Sequence, residues 1–226
     1  MAPTPDGPTA SAAPRSARPR APQGTHRGRG RRPAGEVRAD ILRAAGALLL
    51  DEGMAAFTIE RVARAAGASK TTIYKWWPSK GALALDGYMH AVEETLAFPD
   101  SGDIVADLTA QLGAFATLLT RTRAGRVLAE LIGQAQTDPD LAAAYQALYS
   151  AGRRRLAGEV LLRARQRGQL RADVDPRVVI DQLWGACYHR LLVPDEPITE
   201  EFTAALVDNL VRGLLSGPGA GRRSAR

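Results

Sequence analysis

The chain has 226 residues, of which 45% are hydrophobic, so it can bury a sizeable core within one or two domains. Its formal net charge of +6 indicates a polyanionic partner. The single cysteine, Cys187, excludes an internal disulfide, and no Cys/His cluster offers a metal site. No apolar run of about 18 residues could span a bilayer, and the N-terminal residues lack the apolar segment of a signal peptide. We therefore expect a cytoplasmic protein without metal, cofactor or membrane contact.

The basic excess lies at the N-terminus. Residues 1–34 contain seven arginines and one acid, whereas the remainder balances 23 basic with 23 acidic residues. This segment is rich in Pro, Ala, Gly and Ser and poor in large apolar side chains, which predicts a disordered basic tail. Its stretch GRGRRP, residues 28–33, resembles the core of an AT-hook that lies in a minor groove; a merely solvated tail is the alternative. Either would strengthen non-specific DNA binding.

Between residues 35 and 216 the hydrophobic period is helical, and no strand alternation is present. Capping residues divide residues 35–82 into a helix at about 36–51, two shorter helices and the start of a fourth. The expected N-caps here are Thr58, Ser69 and Ser79, and the expected stops are Gly53 and Gly67. The third helix is predicted to run to about Trp76.

Five further helices are predicted in residues 83–216, and residues 217–226 are expected to form a flexible tail. The five predicted helices cover about 102–121, 123–136, 139–167, 176–193 and 199 onward. Asp-Pro pairs mark the starts at Pro139 and Pro176. The fold class is therefore all-α, with about nine helices in an N-terminal domain (35–82) and a C-terminal domain (83–216).

A short helix, a Gly-containing turn and a second short helix form a helix-turn-helix, whose second helix enters the DNA major groove. At about 100° per residue, Ile73 points away from Thr71 and Lys75. Ile73 is then expected to be buried, while Thr71 and Lys75 share an outer face with Lys70. Threonine and lysine side chains on that face can contact base edges. Hydroxyls of the flanking Thr72 and Tyr74 can reach phosphates.

Three neighbouring residues extend this interpretation. Lys80 lies in the first turn of the fourth helix, where the helix dipole disfavours a cation unless an anion binds there. Phosphate contact is one interpretation of Lys80, and a solvated side chain is the other. Trp77 is expected to close the small core of the head. Trp76 is angled outward, either along the sugar-phosphate backbone or packed on the protein surface.

The segment TIERVARAAGASKTTIYKWWPSKGAL, residues 58–83, resembles the DNA-binding signature of the tetracycline-repressor (TetR) family. That signature follows the pattern T-I-x-x-V-A-x-x-A-G-V-S-x-x-T-L-Y-x-x-F/W-x-S-K-E-x-L. Together with the first helix, the resemblance covers residues 36–85. The later stretches DPDLAAAY, RARQRGQLRADVD and LWGACYHRLL match more loosely and resemble a branch with a ligand-binding C-terminal domain.

The resemblance implies an all-helical homodimer that binds a palindromic DNA operator and is released from it by a small molecule. This favours a repressor over an activator. It implies phosphate contacts by Thr58, Tyr74 and Lys80, with Lys70, Thr71, Thr72 and Lys75 in or beside the groove. Three residues depart from the family pattern: Thr71 for a small residue, Trp76 for a polar one and Gly81 for an acid. The full set of expected DNA-binding residues is Thr58, Ser69, Lys70, Thr71, Thr72, Tyr74, Lys75, Trp76 and Lys80.

Two further sites are predicted in the C-terminal domain. The last two helices are expected to form the dimer interface through Val179, Leu183, Ala186, Leu206, Leu210 and Leu214, with an ordinary intramolecular core as the alternative. Apolar walls with a few polar tips fit a pocket for a mostly apolar or aromatic small molecule, with core filling as the alternative. The expected pocket residues are Phe115, Leu119, Tyr145, Tyr149, Trp184 and Tyr188.

Two other classes of function compete with this interpretation. An enzyme is disfavoured because no catalytic triad, carboxylate pair or phosphate-binding loop is present, and Cys187 and His189 diverge on a helix. An architectural or ligand-independent DNA-binding protein is the remaining alternative. The sequence favours a ligand-responsive transcriptional regulator.

Overall fold

The computed structural model describes residues 32–193 and 195–213. The two predicted tails lie almost wholly outside these residues, as does Leu214. The described residues contain ten α-helices and no strand. They are α1 (Ala34–Glu52), α2 (Ile59–Ala66), α3 (Lys70–Tyr74), α4 (Lys80–Val92), α5 (Ile104–Arg121), α6 (Ala124–Ala135), α7 (Pro139–Ala144), α8 (Ala151–Gln166), α9 (Pro176–Leu192) and α10 (Glu200–Arg212).

One π-helical turn, Tyr145–Ser150, joins α7 to α8 without a break. The three segments form the single long helix that the sequence predicts from Pro139, so the described residues contain nine continuous helices. The all-α prediction is confirmed. The α3 helix ends at Tyr74, two residues earlier than expected, although Lys75 keeps helical dihedral angles.

Side-chain N-caps explain where most of these helices begin. In each case a hydroxyl or carboxylate oxygen accepts a hydrogen bond from a backbone N–H of the first turn, which would otherwise lack a partner. The capping residues are Thr58, Ser69, Ser79, Asp103, Asp138, Asp175 and Thr199. After α2 the chain turns at Gly67, which adopts a left-handed conformation with φ of 60°.

The helix α4 connects the helix-turn-helix to the C-terminal helices. Its side chains Leu83, Leu85 and Tyr88 are fully buried, and they belong to one hydrophobic core that continues into α5 and α6. Near its start, a Cβ atom on Gly81 would lie 3.2 Å from Cδ1 of Leu141 on α7. The beginning of α4 therefore packs directly on the long helix of the C-terminal part.

Within the described ranges, none of the helices is long and apolar enough to cross a membrane. The same residues contain no cluster of three or more His, Cys, Asp or Glu side chains that could hold a metal ion.

Candidate nucleic-acid interface and C-terminal cavity

The α3 helix presents one polar face to solvent. Ile73 is completely buried, whereas Thr71, Tyr74 and Lys75 are exposed, as the helical period predicts. Lys75 follows the last residue of α3 but keeps αR dihedral angles, so its side chain continues the face of Thr71. This face carries residue types that can contact bases and phosphates when a helix enters a major groove.

The start of α3 is fixed by hydroxyl groups. The Oγ of Ser69 accepts the backbone N–H of Thr72 at 3.0 Å and lies 2.8 Å from the Thr72 Oγ1. One hydrogen of the pair is used between the two hydroxyls, so the other remains to be donated to a phosphate oxygen. Their first role in the free protein is to hold the helix start.

The end of α3 is fixed by Trp77. Its indole Nε1 donates a 2.8 Å hydrogen bond to Oδ2 of Asp86 on α4, and the same carboxylate oxygen accepts a 2.6 Å bond from Arg38 on α1. Trp77 is buried, as expected. Trp76 packs edge-on against Trp77 with ring centroids 5.7 Å apart and is half-buried, so it is less outward than predicted.

The start of α2 is held to the end of α1. The Oγ1 of Thr58 accepts the backbone N–H of Arg61 at 3.2 Å. The guanidinium of Arg61 in turn makes a bidentate contact with Glu52, at 2.8 and 2.5 Å. This hydrogen-bonded pairing lowers the pKa of Glu52 and raises that of Arg61. Thr58 is therefore held in place by a charged clamp on the neighbouring helix.

The chain has three lysines, Lys70, Lys75 and Lys80, and they fall within eleven consecutive residues. Elsewhere in the chain, arginine takes the place of lysine as the cationic residue. All three are exposed. The Lys70 ammonium lies 3.0 Å from Oε1 of Glu60 and lowers the pKa of that carboxyl through a hydrogen bond. Among the residues that the structure describes, no acid pairs with Lys75 or Lys80. This distribution is a sequence signal that motif reasoning missed.

Lys80 lies in the first turn of α4, which contains no acidic residue. The hydroxyl of Ser79 caps this helix by accepting the N–H of Ala82 at 3.1 Å. The free N–H groups and the positive end of the helix dipole surround the Lys80 position with partial positive charge. An anion such as a phosphate is the natural partner for this group.

A cavity of about 250 Å³ lies in the C-terminal helices. Of the six predicted pocket residues, five line it: Phe115, Tyr145, Tyr149, Trp184 and Tyr188. Leu119 is buried in the hydrophobic core but is not one of the lining residues. Phe98, Arg153, Arg154 and Asp181 also line the cavity and were not anticipated, although Arg153 and Asp181 lie one helical turn from the predicted Tyr149 and Trp184.

The tyrosine hydroxyls meet at one end of this cavity. Those of Tyr149 and Tyr188 make a short hydrogen bond, and the Tyr145 hydroxyl interacts with Tyr188. Burial raises the pKa of all three phenols, so they remain protonated at neutral pH. The π-helical turn carries two of these three tyrosines. Such turns are frequent at functional sites in helices.

Two family descriptions match this chain. "Bacterial regulatory proteins, tetR family" matches residues 41–86, and "Tetracyclin repressor-like, C-terminal domain" matches residues 98–210. The HTH-type transcriptional regulator YdeS of Bacillus subtilis strain 168 is 37% identical over 174 residues, which cover 77% of this chain and 87% of YdeS. This chain belongs to the tetracycline-repressor (TetR) family. It is a DNA-binding transcriptional regulator and not an enzyme.

Other TetR-family proteins show the same likeness. The DNA-binding transcriptional repressor TetR of Mycobacteroides abscessus is 32% identical over 200 residues, covering 82% of this chain and 97% of that protein. The crystal structure of the TetR family transcription regulator SCO0332 is 66% identical, with a TM-score of 0.78, and the match covers 80% of this chain and 100% of that one. The similarity thus extends over both the helix-turn-helix and the C-terminal helices.

The last two helices of this TetR-family chain are arranged differently from the predicted interface. Val179 and Leu183 are 5% and 1% exposed. They face the core of their own chain and so do not belong to an exposed dimer surface. Leu206 and Leu210 also pack against that core but remain partly exposed, and Ala186 is partly exposed. The error arises because α9 is apolar on two sides, and the sequence does not say which side faces inward.

The exposed side of α9 carries residues at intervals of three and four. Val178 and Leu192 are 52% and 44% exposed, and Gln182, Gly185 and His189 lie between them on the same face. This spacing is that of a seam between packed helices. Val211 provides a further exposed apolar side chain on α10.

Proposed function

We propose that this protein is a homodimeric, ligand-responsive repressor that binds a palindromic operator and leaves it when a small molecule occupies the C-terminal cavity. The observation that carries the DNA-binding half is the grouping of all three lysines on and beside α3, with Thr71 and Lys75 on one exposed face. Thr71 and Lys75 would contact base edges, with Lys70 beside them.

The remaining residues of the head would position it on the duplex. Thr58, Tyr74 and Lys80 would contact phosphates, helped by Ser69 and Thr72 at the start of α3. Trp76 would pack along the sugar-phosphate backbone with the part of its ring that stays exposed. Phosphate contacts set orientation and affinity but carry no sequence information. A lysine at a phosphate should therefore affect all duplexes alike.

The effector half of the proposal rests on the shared helix α4. Lys80 is the first residue of α4, and Gly81 beside it packs on Leu141 of the long helix. The π-helical turn of that long helix forms a wall of the cavity. A ligand that changes this wall would move α4 and with it the recognition helix. Ligand and operator would then oppose each other with a coupling free energy of about 1–3 kcal/mol.

Dimerisation would use the exposed stripe of α9, from Val178 to Leu192, together with Val211 of α10. A two-fold axis there would set the two α3 helices at the spacing of two operator half-sites, about one helical turn apart. A Val178→Glu substitution is expected to yield monomers in sedimentation velocity. Val179→Ala, which alters only the intramolecular core, should lower the unfolding temperature and leave the dimer.

The first test is selection of bound duplexes from a random library at about 150 mM salt. We expect a palindromic consensus. Recovery of no consensus, with binding that is lost when residues 1–34 are deleted, would favour an architectural protein bound through its basic tail and would overturn the proposed role of α3.

The lysine distribution permits a second test on the unmodified full chain. Amine-selective acetylation followed by mass spectrometry should modify Lys70, Lys75 and Lys80 in the free protein, and bound operator should protect Lys75 and Lys80. Lys75→Ala should lose about 1–3 kcal/mol of discrimination between operators, while Lys80→Ala should weaken binding to all sequences alike. Equal effects of the two substitutions on random and selected DNA would contradict these roles.

A further inference from the structure

The cavity contains a cation without a carboxylate partner. Arg153 lines it, and its Nη1 donates a 2.7 Å hydrogen bond to the backbone oxygen of Leu96. Its guanidinium also lies 5.2 Å from the ring centroid of Phe98. In the described part of the chain, no Asp or Glu makes an ion pair with it. Burial lowers the pKa of Arg153, which indicates that the charge is held away from water at some cost.

The other charges at the cavity do not neutralise this group. Asp181 is a lining carboxylate, but its Oδ1 is bound by Arg154. One acid therefore faces two guanidinium groups among the described lining residues, and the pairing leaves Arg153 as the uncompensated charge. The electric field of an uncompensated guanidinium is stronger in a partly enclosed, apolar site than in water.

Neutral hydrogen-bond donors lie on the same side. The hydroxyls of Tyr149 and Tyr188 are hydrogen-bonded to each other, Tyr145 also lines the cavity, and each hydroxyl carries one hydrogen. The hydroxyls of Tyr149 and Tyr188 carry two hydrogens and make one mutual hydrogen bond, so one hydrogen remains for an oxygen of a ligand. Donors of this kind suit an anionic oxygen beside a guanidinium.

Aromatic rings line the same cavity beside these groups. The Phe98 and Trp184 ring centroids are 5.7 Å apart, and those of Phe115 and Tyr188 are 5.6 Å apart. The indole of Trp184 is fixed by a 2.9 Å hydrogen bond to Gln111. At about 250 Å³ the cavity is smaller than most sites for drug-sized ligands. A flat ring system of one or two rings fits these walls.

We infer that the effector is a small aromatic carboxylic acid, with its carboxylate on Arg153 and the tyrosine hydroxyls and its ring between Phe98, Phe115 and Trp184. This inference deepens the proposed function, because it names the chemical class of the molecule that occupies the proposed effector site. The carboxylate would accept a charge-assisted, bidentate pair of bonds from the guanidinium.

The test compares acids with their neutral amides of the same shape. Benzoate, benzamide, 1-naphthoate and 1-naphthamide are titrated into the full-length protein by calorimetry. We expect at least one acid to bind, and to bind roughly 10- to 100-fold more tightly than its amide, as a hydrogen bond to a charged group requires. Arg153→Met, which keeps much of the side-chain length, should remove this preference.

Two variants control for damage to the fold. Arg155→Met removes an exposed arginine two residues away that pairs with Glu159, and it should leave the preference unchanged. Arg153→Lys keeps the charge and should retain part of the preference even if Arg153→Met unfolds. Equal affinities for acid and amide, an equal loss in the Arg155 and Arg153 variants, or no binding by any of the four compounds would overturn the inference.

The same titrations separate this inference from the proposed function. Equal binding of acid and amide at the cavity, with release of the operator, would leave the effector site intact and overturn only its chemical class. Binding of an acid through Arg153 that leaves operator affinity unchanged would support the inferred ligand class of the cavity and overturn ligand-responsive repression.

Discussion

A Cβ atom on Gly46 of α1 would lie 2.7 Å from the carbonyl oxygen of Gly87 on α4, and one on Gly87 would lie 2.6 Å from the Cβ of Ala45. The two helices therefore touch through their backbones where they cross. Backbone atoms cannot move aside as a flexible side chain can. The contact makes α1 a rigid support for the helix that carries Lys80 and Tyr88.

The first prediction concerns this crossing. Gly87→Ala should lower the free energy of unfolding by about 1–3 kcal/mol, because the added methyl group overpacks the contact. Urea unfolding measures this loss. The matched control is Gly158→Ala in α8, where an added Cβ would meet nothing within 4 Å. That substitution should stabilise the protein by about 0.5–1 kcal/mol through helix propensity. A loss of stability in both variants would show that close packing is not the cause.

The second prediction concerns the hydrogen bond from Trp77 to Asp86. Asp86→Ala leaves the buried indole N–H without its acceptor, which should cost about 1–3 kcal/mol of unfolding free energy. Trp77→Phe in the same background removes the unsatisfied donor and should recover part of that loss. A double-mutant cycle in urea gives the coupling energy. Strict additivity of the two substitutions would mean that the hydrogen bond does not hold the end of α3.

Most of the helical architecture could be predicted from the sequence because its signals are local. A cap such as Thr58 or Asp138 acts on N–H groups two or three residues away, so its effect does not depend on the rest of the fold. The burial of Ile73 opposite Thr71 follows in the same way from helical geometry. These features were predicted and are present.

The features that the sequence did not reveal depend on contacts between distant segments. Arg153 meets Leu96 across 57 positions, and Trp184 meets Gln111 across 73. The inward side of α9 was also misjudged, because Val178 and Val179 are equally apolar and only packing against α5 and α8 decides between them. The position of Leu119 outside the cavity was missed for the same reason.

The third prediction concerns the contact of Lys70 with Glu60. Both side chains are more than half exposed, so Glu60→Gln should leave the unfolding temperature nearly unchanged. The same change removes a negative charge beside the proposed DNA face and should strengthen binding to every duplex several-fold, most clearly at low salt. Fluorescence anisotropy across a salt series measures this effect. Glu159→Gln, which removes a similarly paired acid on α8, should not change DNA affinity.

The fourth prediction concerns Tyr88. Its side chain is fully buried, and within the described residues its hydroxyl has no hydrogen-bond partner. Tyr88→Phe should therefore raise the free energy of unfolding by about 1 kcal/mol, because a buried unsatisfied group is removed. Tyr149→Phe is the matched control and should lower it by about 0.5–1.5 kcal/mol, since that hydroxyl is bonded to Tyr188. Destabilisation by Tyr88→Phe would indicate a buried water on this hydroxyl.

The last prediction concerns alkaline pH. Burial is the main cause that raises the pKa of Tyr88, Tyr145, Tyr149 and Tyr188 above the ordinary value of about 10, and it raises that of Cys187 from 9.0 to about 12. The unfolded chain therefore loses these protons at lower pH than the folded chain. Stability should be fully present below about pH 9, begin to fall there through Cys187, and fall more steeply above about pH 10 through the tyrosines.

Urea unfolding at a series of pH values measures this decline. Tyr149→Phe should reduce its slope above about pH 10, because one titrating group is removed, while Cys187→Ala should delay its onset. Because Tyr74 is exposed, the absorbance is measured in a Tyr74→Phe variant, in which tyrosinate should appear together with the loss of helical circular dichroism, since the four buried phenols can ionise only when their surroundings open. A large rise in absorbance before any loss of helix would show that water reaches the hydroxyls in the folded protein, which would contradict their burial.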